Sequence, residues 1–294
     1  MRKRLSIGTI AVLIIVILML GGNTWRNAAG WQPITETPAQ RLALLRPDWR
    51  LQMPDGNGPF PAAILLSGCD GVRDNMAYWA DVLTKQGYAA LIVDSHSPRG
   101  LERHQAWRAV CAAQLLPGAE RAGDIAVAMA ALDDMPGIDA RDVMLLGASH
   151  GGWSIMEYLR LLDSDTPPPG LTAWPMDRTA LRARIGPVAL LYPYCGVVSQ
   201  AGEAVWPDQY RGLMVLGTAD SIIDSEKCEE MAAGLQASGA HLRLTVLEGA
   251  DHGFDQRDRS TLSLLEFSPE YTAAATEAVK QLIRDFRNPD PAAN

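Results

Sequence analysis

The chain has 294 residues, 48% of them hydrophobic and 20% charged, which is enough material for one substantial core. A formal net charge of −8, with no basic stripe interleaved with aromatic residues, excludes nucleic-acid binding as the expected role. The 8 Trp and 7 Tyr follow no fixed period, which excludes a repeat architecture.

The first 22 residues read MRKRLSIGTIAVLIIVILMLGG. A basic head, Arg2, Lys3 and Arg4, precedes a run from Leu5 to Gly22 whose only polar side chains are Ser6 and Thr9. As a helix this run reaches about 27 Å, close to the roughly 30 Å hydrocarbon layer. Residues 1–22 are therefore expected to be an uncleaved signal anchor, with 5–22 in the membrane, or a signal peptide cleaved near Gly22 or Ala29. Both readings export the remainder, to the periplasm or another extracytoplasmic space. Residues 23–40 lack periodicity and are expected to be a linker, as a tether or an edge-wrapping segment, with Trp25 and Trp31 at a membrane interface or against the domain. The remaining stretch, 41–294, reads as one domain.

Within that domain, short apolar runs alternate with helical patterns. PAAILLSG (61–68), YAALIVD (88–94), DVMLLGAS (142–149), GPVALLYPYC (186–195), RGLMVLGTAD (211–220) and LRLTVLEGADH (242–252) are the expected strands. They are continuously apolar, as befits parallel strands covered on both faces. Helices are expected over 76–86, 120–135, 150–162, 225–238 and 269–286, the last opened by Ser268 as N-cap and Pro269 at its first position. This alternation predicts an α/β fold with a mostly parallel central sheet and helices on both faces. Residues 163–186, with three consecutive prolines, read as a lid excursion or as a surface loop with one short helix.

Ligands of an open parallel sheet bind beyond the carboxyl ends of its strands, so the residues at those ends carry the chemistry. The third run ends on Ser149, the fifth on Asp220 and the sixth on His252. Ser149 lies in Gly147-Ala148-Ser149-His150-Gly151, the G-x-S-x-G pattern of a nucleophile on a sharp strand-to-helix bend. A serine hydroxyl is a weak nucleophile until an imidazole takes its proton, and a carboxylate must fix the imidazole tautomer; Ser149, His252 and Asp220 are the candidates for these roles. Asp224 competes with Asp220. His96 and His104 read as polar-loop residues, His241 as a strand start, and His150 as too close in sequence to be the base. The backbone N–H groups of His150 and of Cys69, in LLSGCDG, are the expected oxyanion donors. This chemistry calls for no cofactor and no metal, and no C-x-x-C pair suggests zinc. The four cysteines, Cys69, Cys111, Cys195 and Cys228, leave three pairings or free thiols open.

Taken together, DGNGPFPAAILLSGCDG, VDSHSPRG, RAGDIAVAMAALDDMPGIDARDVMLLGASHGG, LLYPYC, GTADSIID and EGADHGFD resemble the dienelactone hydrolase family of the α/β-hydrolase fold, closest to its exported bacterial branch. The resemblance covers roughly residues 50–286. It implies Ser149 as nucleophile, Asp220 as acid and His252 as base. It also implies neighbouring strands that would pair Cys69 with Cys111 and Cys195 with Cys228. Two departures stand out: the namesake enzymes carry a cysteine where this chain has Ser149, and Ser67 replaces the usual histidine of the oxyanion loop.

The expected function is a serine hydrolase cleaving a small carboxylic ester, thioester or lactone through an acyl-enzyme. A membrane-tethered non-catalytic binding protein and an acyltransferase are the alternatives. Trp153, Trp174, Met176, Tyr194 and Trp206 read as pocket-lining or core residues. Arg99 reads as structural, or as a contact for an anionic substrate.

Overall fold

The structure, a computed structural model, describes residues 7–207, 209–259 and 263–288, so the basic head and Leu5–Ser6 lie outside the described residues. The chain opens with helix α1 (Ile7–Ala28) and α2 (Pro38–Leu45), followed by a short strand, β1 (Arg50–Gln52). The alternating domain then runs β2 (Phe60–Leu66), α3 (Asp74–Lys85), β3 (Ala89–Ile92), α4 (Arg103–Ala109), α5 (Gly118–Ala131) and β4 (Ile138–Ala148). It continues through α6 (His150–Leu161), α7 (Arg178–Ala183), β5 (Ile185–Leu191), β6 (Arg211–Gly217), α8 (Ser225–Ala237), β7 (Leu242–Leu247) and α9 (Pro269–Arg287).

Among the described residues, the strands form a seven-stranded sheet in the order β1-β3-β2-β4-β5-β6-β7. β1 pairs antiparallel with β3; every other pairing is parallel. Strand side chains alternate between two cores, as a two-residue period requires. Ile64, Leu66, Leu145 and Leu190 face α5, α6 and α8, whereas Ala63, Leu65, Leu146 and Leu191 face α3 and α9. Burial on both faces is the physical reason these strands read as unbroken apolar runs.

Residues 23–40 contain the end of one helix and the start of the next. Helix α1 continues to Ala28, and α2 begins at Pro38 under a capping box in which Thr37 and Gln40 satisfy each other's backbone N–H. Between them, Glu36 bridges to Leu171, so this stretch is joined to the 163–186 excursion. That excursion is itself tied down: Leu171 and Leu181 are buried, α7 lies within it, and Arg182 donates to the Leu162 carbonyl. Strand β1 and helix α4 were not expected from the sequence. β1 is three residues long and exposed throughout, so it shows no hydrophobic pattern.

The bend between β4 and α6 is possible only with glycine on either side. A Cβ on Gly147 would sit 2.4 Å from the carbonyl carbon of Gly151, and one on Gly151 would sit 2.3 Å from the Leu66 carbonyl oxygen. Both collisions are with backbone, so no rotamer change relieves them. Replacing Gly151 with alanine should therefore force β2 and α6 apart and cost about 3 kcal/mol, read as a lowered urea midpoint. A midpoint equal to that of the parent would refute the close approach.

Candidate active site

Ser149 sits at the tip of this bend with φ +52° and ψ −114°, a positive-φ conformation rare for a residue with a side chain. The strain holds its Oγ off the end of β4, where it lies 2.9 Å from His252 Nε2. The other ring nitrogen, Nδ1, is 2.8 Å from Asp220 Oδ2. The remaining Asp220 oxygen, Oδ1, accepts the N–H groups of Ile222 and Ile223 at 2.9 and 2.8 Å, which fixes the carboxylate behind the imidazole. Asp224, the competing carboxylate, instead flanks the start of α8 and pairs with Lys227.

The loop carrying His252 is braced from two sides. Asp251 accepts from the His252 N–H at 2.7 Å and from the Ser221 N–H at 2.8 Å. Burial would raise the Asp251 carboxyl, but these N–H bonds outweigh it and hold it below the ordinary carboxylate range. Beneath, the buried Asp255 accepts from Trp79 Nε1 at 2.6 Å and from the Tyr192 hydroxyl. The Tyr192 ring meets the His252 ring edge-on, with centroids 4.8 Å apart. Asp255 and Tyr192 escaped the sequence reading. Both stand in the quoted EGADHGFD and LLYPYC blocks, but nothing local marks them as partners.

The expected oxyanion donors lie on two elements beside Ser149. His150 is the first residue of α6, within the turn whose N–H groups have no intrahelical acceptor. The Ser67–Cys69 loop follows β2, and a Cβ on Gly68 would sit 3.8 Å from Ser149 Cβ. Arg121, fully buried, secures this loop: its guanidinium donates to the Ser67 carbonyl at 2.7 Å, to Ser67 Oγ at 3.2 Å and to Ser95 Oγ at 3.0 Å. It also meets His150 Nδ1 at 3.2 Å, which makes that nitrogen an acceptor. Burial, then the Arg121 charge, push the His150 imidazole far below its ordinary value, and its Nδ1 already accepts from Arg121, so it is too weakly basic to serve as the base. His96, expected in a polar loop, is likewise buried, and burial lowers it in the same way.

Arg99 is committed to structure. Its guanidinium forks onto both oxygens of the buried Asp124 at 2.8 and 3.0 Å and donates to the Ser95 carbonyl at 2.7 Å. Arg41 completes the site, 2.7 Å from Asp124 Oδ1. Burial alone would raise the Asp124 carboxyl; the two guanidinium groups outweigh it and bring it to about 2. Trp153 and Trp206 are core residues, the Trp153 ring meeting that of Tyr194 at a tilt of 56° with centroids 5.0 Å apart; Trp174 and Met176 pack against the same core. Cys69 is bonded to Cys111 and Cys195 to Cys228, with Cα separations of 5.0 and 5.2 Å. A cavity of about 310 Å³ opens between Trp31, Trp153, Glu157 and Pro168, and none of Ser149, Asp220 and His252 lines it.

A mostly parallel sheet flanked by helices, with a serine on a glycine-bounded bend after a central strand, defines the α/β-hydrolase fold. Within that class, residues 194–288 match the Dienelactone hydrolase family, and the fold neighbours include members of the same group. A candidate dienelactone hydrolase of Klebsiella pneumoniae superposes with a TM-score of 0.61 at 16% identity, covering 81% of this chain and 92% of that one. The native esterase Est2 of Thermogutta terrifontis gives 0.59 at 15% identity, covering 84% and 90%. Est1E of Butyrivibrio proteoclasticus, solved with ferulic acid, gives 0.57 at 15% identity, covering 82% and 95%. At these identities the likeness to solved structures is one of fold. No curated protein matches the chain.

Proposed function

We propose that the chain is a serine hydrolase of small carboxylic esters, thioesters or lactones, working through an acyl-enzyme. The observation that carries this reading is the continuous hydrogen-bonded path Ser149 Oγ, His252 Nε2, His252 Nδ1, Asp220 Oδ2, mounted on a strained bend. Further support comes from the family match and from esterases among the fold neighbours.

In this mechanism His252 Nε2 takes the Ser149 proton as Oγ attacks the substrate carbonyl, and the resulting imidazolium is stabilised by Asp220. The N–H groups of His150 and Cys69 receive the developing oxyanion. His252 then returns its proton to the leaving group, and a water activated by the same imidazole releases the acid. The two disulfides and the N-terminal apolar helix support an exported enzyme, retained at the membrane by residues 5–22 or released.

A fluorophosphonate probe tests this directly, because it reacts only with an activated serine. The expected result is one adduct on the peptide containing Ser149, abolished by prior denaturation. Absence of an adduct on the folded protein would rule out the nucleophile.

A further inference from the structure

Helix α1 is long and apolar enough to cross a membrane, and the protein itself leaves its side chains uncovered: Ile10 and every residue from Val12 to Leu20 are at least 45% exposed. Its last turns, by contrast, are bonded to the domain. Asn23 Nδ2 donates to the Gln114 carbonyl at 2.7 Å, Asn27 Nδ2 to the Ala113 carbonyl at 3.0 Å, and Gln114 Nε2 to Thr24 Oγ1 at 2.8 Å. On the other side, Gln200 Nε2 donates to the Ala28 carbonyl at 2.9 Å. The helix passes without interruption through Gly22, so a hydrocarbon layer filled by the apolar run up to that residue would end at residues 23–28. The segment bonded to them would then be held at that same depth.

That segment, α4 through Leu116, is amphipathic. Ala106, Val110 and Leu116 face inward onto Cys69 in a small core of their own, while Trp107 and Leu115 stand 65% and 46% exposed beside the exposed Arg108. Tryptophan next to arginine suits the interfacial layer of a bilayer, where an amphipathic ring is half-solvated and a cation meets lipid phosphates. The same segment reaches the candidate active site through the Cys69–Cys111 bridge and through Arg103, which pairs with Asp258 at 2.6 Å, beyond His252.

We propose that α1 is retained and that the α4–Leu116 segment rests on the bilayer that α1 crosses, with Trp107 and Leu115 in its interfacial layer. The occupant of this apolar face is the lipid surface, because the adjoining helix already ends there and the bonds at Asn23, Thr24, Asn27 and Ala28 fix the relative height. The oxyanion loop then sits one disulfide away from lipid, which suits substrates that partition into the leaflet. The proposed contact with the bilayer rests on retention of α1; only its consequence for the substrate rests on the hydrolase reading.

Its test uses the full chain reconstituted in phosphatidylcholine–phosphatidylglycerol vesicles whose acyl chains are brominated next to the headgroup. Bromine quenches only tryptophans in contact with it. Of the 8 tryptophans, removing Trp107 as W107F should lower the quenchable emission about as much as removing Trp25 as W25F. Both are conservative changes at exposed positions and leave the core untouched. Quenching in W107F equal to that of the parent, while W25F shows its loss, would overturn the proposal. So would N-terminal sequencing of the membrane-extracted protein that starts beyond Gly22, or cross-linking that finds Leu115 against a second copy. Loss of esterase activity in some other variant would bear on the proposed function and leave this result unaffected.

Discussion

Replacing Ser149 with alanine is expected to lower kcat for p-nitrophenyl ester hydrolysis by on the order of 10⁴-fold or more, with KM little changed. The side chain is small and lies between Gly68 and the His252 ring, so its truncation removes the proposed nucleophile without disturbing the packing. Replacing His252 with alanine should cost a similar factor, because an unactivated hydroxyl attacks no faster than an absent one. Since the two groups act as a unit, the double variant should be no slower than either single variant. A residual rate reflecting backbone oxyanion donors should survive in all three. If Ser149→Ala kept kcat within tenfold of the parent, the acyl-enzyme mechanism would be untenable.

Asp124→Asn is expected to destabilise the fold by about 3–5 kcal/mol, because it leaves two buried guanidinium groups facing a neutral amide. Arg41 and Asp124 have almost no exposed side-chain surface, and Arg99 is only 15% exposed, so water cannot replace the lost charge. The fall in Tm should be on the order of 10 °C for a domain of this size. The native carboxyl is depressed from its ordinary 3.8 to about 2, so it binds a proton less readily folded than unfolded. Its contribution is therefore complete above about pH 4 and disappears as pH falls towards 2. The variant should lack that part of the parent's acid destabilisation. A Tm within 1 or 2 °C of the parent would show that Arg41 and Arg99 find other partners.

These two sites differ in how openly the sequence displays them. The bend at Ser149 is legible because its requirements are local: an apolar strand, two glycines at fixed offsets and a helix, all within a dozen residues. Asp220 and His252 are legible once strand ends are compared, since a parallel sheet gathers its carboxyl ends on one edge. The Arg41–Asp124–Arg99 cluster is not, because its members lie 83 and 25 residues apart and each reads as an ordinary surface charge. Arg121 stands in GAERAGD, a stretch whose charges suggest a solvated helix, yet the excursion through Leu171 and the Ser67 loop bury that face. The capping box at Thr37 was available in TPAQ, but a single turn of signal inside an aperiodic region carries little weight without the packing that α5 supplies. His96 illustrates the same limit: polar neighbours in the chain say nothing about burial in space.

The Cys69–Cys111 bond is a clasp between the loop after β2 and the residues that follow α4. The bond adds a covalent tie to the hydrogen bonds by which Arg121 holds Ser67 and Gln256 holds Asp70. Reduction would leave those hydrogen bonds in place and free the residues after α4 from their covalent tie to the loop, so the disulfide couples two segments that the chain itself keeps apart.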